Sequence, residues 1–110
     1  MEIRENNRVC IIAPICKKLD AIKIDRIVNK ALKESRSVAI DLNYVEECSI
    51  DFIEAIKSIK NKKIGIFNIP SDIFVLFNFM NLDKFVNLYV SEQDFETNSH
   101  QLINRKFSLV

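Results

Sequence analysis

The sequence predicts a single α/β domain with a mixed, mostly parallel sheet flanked by helices, in the order β-β-α-β-α-β-α-β-α. The length of 110 residues is that of one domain. Short, almost continuous apolar runs, typical of strands buried on both faces, alternate with amphipathic helical segments. Strands that alternate with helices imply parallel crossover connections, and an N-terminal hairpin adds one antiparallel strand.

The N-terminal segment predicts a hairpin followed by a helix. Residues 3–4 and 9–13 form its strands, and the asparagines between them suit a tight turn. Pro14 ends the second strand, and Asp20 is the expected N-cap of the first helix. The inner face of that helix is predicted to consist of Ile24, Ile27, Val28, Ala31 and Leu32.

The middle of the chain predicts two further strands and a second helix. Residues 37–42 and 63–67 are the apolar runs. The helix between them runs from about Ser49 to Lys60, and Ser49 can cap it. Its inner stripe is predicted to consist of Phe52, Ile53, Ile56 and Ile59.

The last part of the domain predicts a third helix, a strand and a short final helix. The third helix spans residues 71–80, and Asn81 can adopt the left-handed conformation that closes it. Residues 85–90 form the last strand, and Ser91 caps the final helix.

Composition excludes several classes of function. Lys and Arg number 16 against 15 Asp and Glu, so the chain lacks the positive charge expected of a dedicated nucleic-acid binder. One His and one Gly exclude a multi-histidine metal site and a glycine-rich phosphate loop. Since no nucleophile–base pair or metal cluster is visible, we expect no enzyme, no cofactor and no metal.

The sequence predicts a cytoplasmic protein without direct membrane insertion. The N-terminus lacks an apolar signal segment, and polar residues interrupt the apolar stretch 64–90. The three cysteines form no CxxC motif, which favours reduced thiols.

Four short strings, taken together in their order and spacing, resemble the STAS family of anti-sigma-factor antagonist domains. They are the LDA string at 19–21, DLNYV at 41–45, NIPS at 68–71 and LDKF at 82–85. The resemblance covers about residues 2–96 and implies the STAS-type fold.

The resemblance implies a non-enzymatic protein–protein interaction module, an anti-sigma-factor antagonist-like regulator in bacterial signalling and transcription regulation. Its partner would be an anti-sigma factor or a kinase-like regulator. The alternative is a STAS subunit of an ABC-type membrane lipid-transport complex, which would bind the transporter ATPase. A small enzyme is a third, less supported class, and a homodimer stays open.

The chain departs from the family at the phosphorylation site. Typical STAS domains carry a phosphorylatable serine at the start of the second helix. Counting from Asp41 without gaps, that position is Ile50, which has no hydroxyl group. The glycine position two residues later is Phe52. We therefore predict a partner-binding loop without a phosphoryl switch, formed by Glu46, Glu47, Cys48, Ser49, Ile50 and Asp51.

Three alternatives remain for this loop. Ser49 and Asp51 also suit an ordinary helix start, as cap and as dipole partner. A one-residue shift of register would make Ser49 the phosphorylated residue, although the neighbouring acidic side chains disfavour a phosphate there. Cys48 is either a redox-sensing thiol near a helix N-terminus or a buried structural cysteine.

The third helix is apolar on nearly all sides. Its expected sheet-facing stripe consists of Ile73, Leu76, Phe77 and Met80. Phe74 and Val75 would then point away from the sheet, because successive helix positions are about 100° apart. A protein partner, a second protomer or the C-terminal tail, residues 97–110 after the domain of residues 1–96, would cover them.

Overall fold

The computed structural model describes residues 1–97 and contains one five-stranded sheet in the order β1-β2-β3-β4-β5. β1 and β2 are antiparallel, and every other neighbouring pair is parallel. The strands are β1 (Glu2–Glu5), β2 (Val9–Ala13), β3 (Ser37–Asp41), β4 (Gly65–Phe67) and β5 (Asn87–Leu88). The predicted mixed sheet is confirmed. The predicted C-terminal tail, apart from Thr97, lies outside the described residues.

Within the described residues, four α-helices connect or follow these strands in the predicted order. They are α1 (Ala21–Lys33), α2 (Ile50–Lys57), α3 (Ser71–Phe79) and α4 (Glu92–Glu96). A short 3-10 helix, Leu82–Lys84, lies between α3 and β5. α2 ends three residues earlier than expected, and β5 pairs over two residues rather than six.

Two of the three predicted serine or aspartate caps form. The Asp20 carboxylate accepts a hydrogen bond from the backbone nitrogen of Lys23 at 2.9 Å, and the Ser91 hydroxyl accepts one from Asp94 at 3.3 Å. Ser49 occupies the N-cap position of α2, but its hydroxyl makes no capping hydrogen bond. The cap role expected for that hydroxyl is therefore wrong.

The helices pack on both faces of the sheet. α1, α2 and α3 bury one face in a large apolar core. On the other face, Phe95 of α4 packs against Ile11, Ala39, Phe67 and Tyr89. Successive side chains of a strand point to opposite faces, which explains the division.

The single glycine of the chain allows α4 to lie close to the sheet. A Cβ atom on Gly65 would lie 2.8 Å from Cε2 of Tyr89 and 3.0 Å from Cδ1 of Phe95. Both distances are shorter than normal van der Waals contact. A larger residue at this position would push the two rings away from β4.

An ion pair at the end of α1 connects it to β1. Nε of Arg36 donates to the Glu34 carboxylate at 2.6 Å, and Nη2 donates to Glu5 at 2.7 Å. The Glu34 side chain is 8% exposed. The hydrogen bond from Arg36 lowers the pKa of Glu34 from its usual 4.5 to about 2.

The Glu34–Arg36 ion pair makes the free energy of unfolding depend on pH. Because the Glu34 pKa is lower in the folded state, its contribution is complete above about pH 4.5 and is lost as the pH falls toward 2. We expect Arg36→Ala to lower the urea midpoint more at pH 7 than at pH 2.5. Arg26→Ala, an exposed change on α1, is the control. An equal loss at both pH values would contradict the role of this pair.

Candidate functional site

The predicted partner loop, residues 46–51, follows β3 at the carboxyl end of the parallel strands. The backbone nitrogens of Glu46 and Glu47 donate to the carbonyl oxygen of Lys17 at 2.8 and 2.9 Å. Val45, just before the loop, is buried. The loop is therefore held against the segment that follows β2.

The six predicted residues of the partner loop are all at least partly exposed. Glu46, Glu47 and Asp51 are exposed, and Cys48 and Ser49 are half-buried. Ile50, the first residue of α2, is 54% exposed. An isoleucine so exposed contributes little to the core, so its side chain is available for contact with a partner.

An open cleft of about 440 Å³ lies between the partner loop and the start of α3. We call it the loop cleft. It is lined by Lys18, Glu46, Glu47, Cys48, Ser49, Asp72, Ile73 and Leu76. Sequence reasoning missed Lys18 and Asp72, because only the fold brings their segments next to the loop.

The Cys48 thiol is protonated at neutral pH. Desolvation by burial raises its pKa to about 12, and its Sγ atom lies 3.7 Å from the carbonyl oxygen of Ser49. The thiolate is the reactive form of cysteine. This environment favours the structural interpretation of Cys48 over redox sensing.

Ser49 is half-buried in the loop cleft among acidic side chains. Glu46, Glu47 and Asp72 line the same cleft. A phosphate on Ser49 would meet like charges there, while the helix N-terminus would favour it. Phosphorylation at Ser49 stays an alternative that modification analysis must test.

Of the two α3 residues predicted to point away from the sheet, Phe74 and Val75, only Val75 does so. Val75 is 67% exposed, as expected, but Phe74 is 6% exposed and packs in the core. The buried arc of α3 is centred on Ile73, Phe74 and Phe77, so the helix is rotated relative to the predicted stripe. Phe79, which the sequence analysis did not select, is 80% exposed. The exposed apolar pair on α3 is therefore Val75 and Phe79.

A buried carboxylate positions the start of the segment leading to the partner loop. Asp41, at the end of β3, is 4% exposed. It accepts hydrogen bonds from Arg4 Nη2 at 3.0 Å, from Asn68 Nδ2 at 3.1 Å and from the backbone nitrogen of Asn43 at 2.9 Å. Arg4 also contacts Glu92 of α4 at 2.7 Å. The network joins β1, the end of β3, the residue that follows β4, and α4.

Among residues 1–97, one group of side chains has ligand atoms close enough together to hold a metal ion. Ligand atoms of Glu5, Cys10 and Glu34 lie within 4.8 Å of one another. Arg36 already donates to both carboxylates, and desolvation raises the pKa of the buried Cys10 thiol. The cationic partner of this group is therefore the Arg36 guanidinium. Within residues 1–97, no helix is long and apolar enough to span a membrane.

A comparison with solved structures identifies a similar fold, whereas sequence comparisons find no relative. No protein-family model matches the sequence, and the curated proteins give no match. The structure is similar to that of an anti-sigma-factor antagonist (STAS) domain protein from Planctomyces limnophilus, with a TM-score of 0.64 and 17% identity. The similarity covers 84% of this chain and 92% of that chain. The chain therefore has the fold of STAS domains, as the sequence resemblance implied.

Proposed function

We propose that this chain is a protein-binding regulator of the anti-sigma-factor antagonist type that works without a serine phosphorylation switch. Ile50 carries the proposal. It is exposed at the first residue of α2, where the STAS resemblance places the phosphoacceptor. A bacterial anti-sigma factor or kinase-like regulator is the proposed partner.

The chemistry of the partner loop supports protein binding. Ile50 offers an apolar contact, and the exposed Glu46, Glu47 and Asp51 of the same loop add negative charge. Burying the exposed part of an isoleucine contributes about 1–2 kcal/mol, and the carboxylates orient a basic partner surface. The partner surface should combine an apolar pocket with Lys or Arg side chains.

The absence of a hydroxyl group at Ile50 supports binding of the partner protein that phosphorylation at this position does not regulate. Phosphorylation would add about −1.5 to −2 charges at this helix start. Ile50 cannot accept a phosphoryl group, so binding would not be regulated there by a kinase. Incubation with a partner kinase should leave the partner loop unmodified by mass spectrometry. Stoichiometric phosphate on Ser49 would contradict this proposal.

The loop cleft supports a binding role rather than catalysis. Its cysteine is protonated, since the Cys48 pKa is about 12. Nucleophilic catalysis needs an activated nucleophile next to a base. Among the described residues lining the cleft, none forms such a pair.

Two matched isoleucine substitutions test the proposal. Ile50 and Ile22 are 54% and 66% exposed, and each lies in the first turn of a helix. An aspartate there is compatible with the helix dipole, so both variants should fold. We expect Ile50→Asp to weaken binding to the partner protein, once affinity capture has identified it, at least about tenfold, a loss of about 1.4 kcal/mol. Ile22→Asp should leave that binding unchanged.

The identity of the partner separates the two functional classes. Affinity capture from the source bacterium followed by mass spectrometry should recover an anti-sigma factor or kinase-like protein. Recovery of a transporter ATPase and permease that depends on Ile50 would support the lipid-transport alternative instead. Equal recovery by the parent chain and both variants would contradict the role of the partner loop.

A further inference from the structure

A second exposed surface lies at the opposite end of the sheet and is strongly basic. It is formed by the end of α2, the turn before β4, and the 3-10 helix before β5. β4 and β5 are parallel, so their leading segments meet at one edge. We call this surface the lysine cluster: Lys57, Lys60, Lys62, Lys63 and Lys84, around Phe85.

An aromatic ring lies at the centre of the lysine cluster. Phe85 is 41% exposed, and the Nζ atoms of Lys57 and Lys60 lie 5.2 and 5.5 Å from its ring centroid. An open cleft of about 430 Å³ lies beside the ring. Its walls include Phe85, the buried Ile59 and four of the five lysines.

The charge of the lysine cluster is not neutralised within the described chain. Arg4, Lys23, Lys30 and Arg36 each form ion pairs with carboxylates. Among residues 1–97, none of the five clustered lysines has such a partner, although Lys62 donates to the backbone carbonyl of Glu34. In the same part of the chain, no carboxylate lines the cleft. Five ammonium groups brought together in this way attract an anion.

We propose that the lysine cluster binds an acidic peptide segment of a protein partner. Its carboxylates would pair with Lys60, Lys63 and Lys84, and an apolar side chain between them would contact Phe85 in the cleft. This second binding surface goes beyond the proposed function, because it lies at the other end of the sheet from the partner loop.

The geometry favours a peptide over other anionic ligands. Phe85 is the one exposed large apolar side chain among the described residues lining this open cleft, whereas a membrane-binding surface presents several apolar side chains beside its basic ones. Single-stranded nucleic acids stack successive bases on several aromatic side chains, whereas Phe85 is the one aromatic residue among the described residues that line the cleft. A narrow acidic chain can enter the cleft and reach several lysines.

Binding of a labelled model peptide, Glu-Glu-Leu-Glu-Glu-Leu, tests this proposal by fluorescence anisotropy on the full chain. We expect saturable binding that weakens with salt and is absent for a peptide with glutamines in place of the glutamates. The double variant Lys60→Glu/Lys63→Glu should bind at least about tenfold more weakly, a loss of about 1.4 kcal/mol.

The double variant Lys17→Glu/Arg26→Glu is the control, because it changes the net charge equally with exposed residues away from the cluster. It should bind within about twofold of the parent. Equal weakening by both double variants would show a net-charge effect and overturn the proposal. Circular dichroism checks folding, and if the glutamate variant unfolds, Lys60→Gln/Lys63→Gln replaces it with an expected loss of at least threefold.

Vesicles containing phosphatidylserine and a single-stranded oligothymidine complete the experiment. Binding of either one more tightly than the peptide, lost in the lysine double variant, would overturn the peptide assignment. Ile50→Asp should bind the peptide as the parent does. Failure of the peptide test therefore does not contradict the proposed function of the partner loop. Likewise, failure of the Ile50 test does not contradict peptide binding by the lysine cluster.

Discussion

Phe77→Ala should lower the free energy of unfolding by about 3–5 kcal/mol. Phe77 of α3 is fully buried, and its ring centroid lies 6.3 Å from that of Phe52 on α2. Truncation removes this contact and leaves a cavity between two helices and the sheet. The helices cannot close the gap without losing their packing on β3 and β4, so the loss should be large.

Phe79→Ala on the same helix is the matched control. Phe79 is 80% exposed, so its truncation should change stability by less than about 0.5 kcal/mol. Urea unfolding of both variants measures the difference. Similar losses for the two would mean that the inner and outer faces of α3 are wrongly assigned.

The order of strands and helices could be predicted because hydrophobic periodicity reports local burial. α1 has apolar residues on one side, and its inner face is buried as expected at Ile24 and Ile27. α3 is apolar almost all round, so periodicity does not determine its rotation. The position of Phe74 in the core depends on the contacts of α3 with α2 and the sheet, which local sequence does not encode.

Features that depend on distant residues could not be predicted. Asn68 adopts a left-handed conformation with φ of 54°, and its side chain donates to Asp41 across the sheet. Asn81 has a similar φ of 58° and was predicted, because it lies just beyond the C-terminal end of α3. A helix end is a local signal, whereas the environment of Asn68 is created by the parallel pairing of β3 and β4.

The two candidate surfaces differ in the same way. The partner loop is one continuous segment, so its six residues could be identified from the STAS resemblance. In the lysine cluster, the sequence shows only the basic run near Lys60, Lys62 and Lys63. The pairing of β5 with β4 brings Lys84 and Phe85 next to this basic run. The result is a cleft that has an aromatic ring in its wall.

Asp41→Ala should lower the free energy of unfolding by about 2–4 kcal/mol. The carboxylate is buried and accepts three hydrogen bonds, from Arg4, Asn68 and the backbone of Asn43. Removing it leaves the Asn43 nitrogen without its acceptor. Arg4 keeps Glu2 and Glu92 as partners, which limits the cost of the unpaired guanidinium.

Asp41→Asn separates geometry from charge. Its amide oxygen can still accept from Asn68 and Asn43, whereas its amino group cannot accept from Arg4. We therefore expect a loss between zero and that of Asp41→Ala, whereas Arg4→Ala also removes the ion pairs with Glu2 and Glu92 and should cost more than Asp41→Asn. Chemical denaturation of the three variants measures the series, and a loss below about 0.5 kcal/mol for Asp41→Ala would contradict it. A loss confined to Asp41→Ala would show that the side chain of residue 41 stabilises the fold through its hydrogen bonds with Asn43 and Asn68 rather than through its charge.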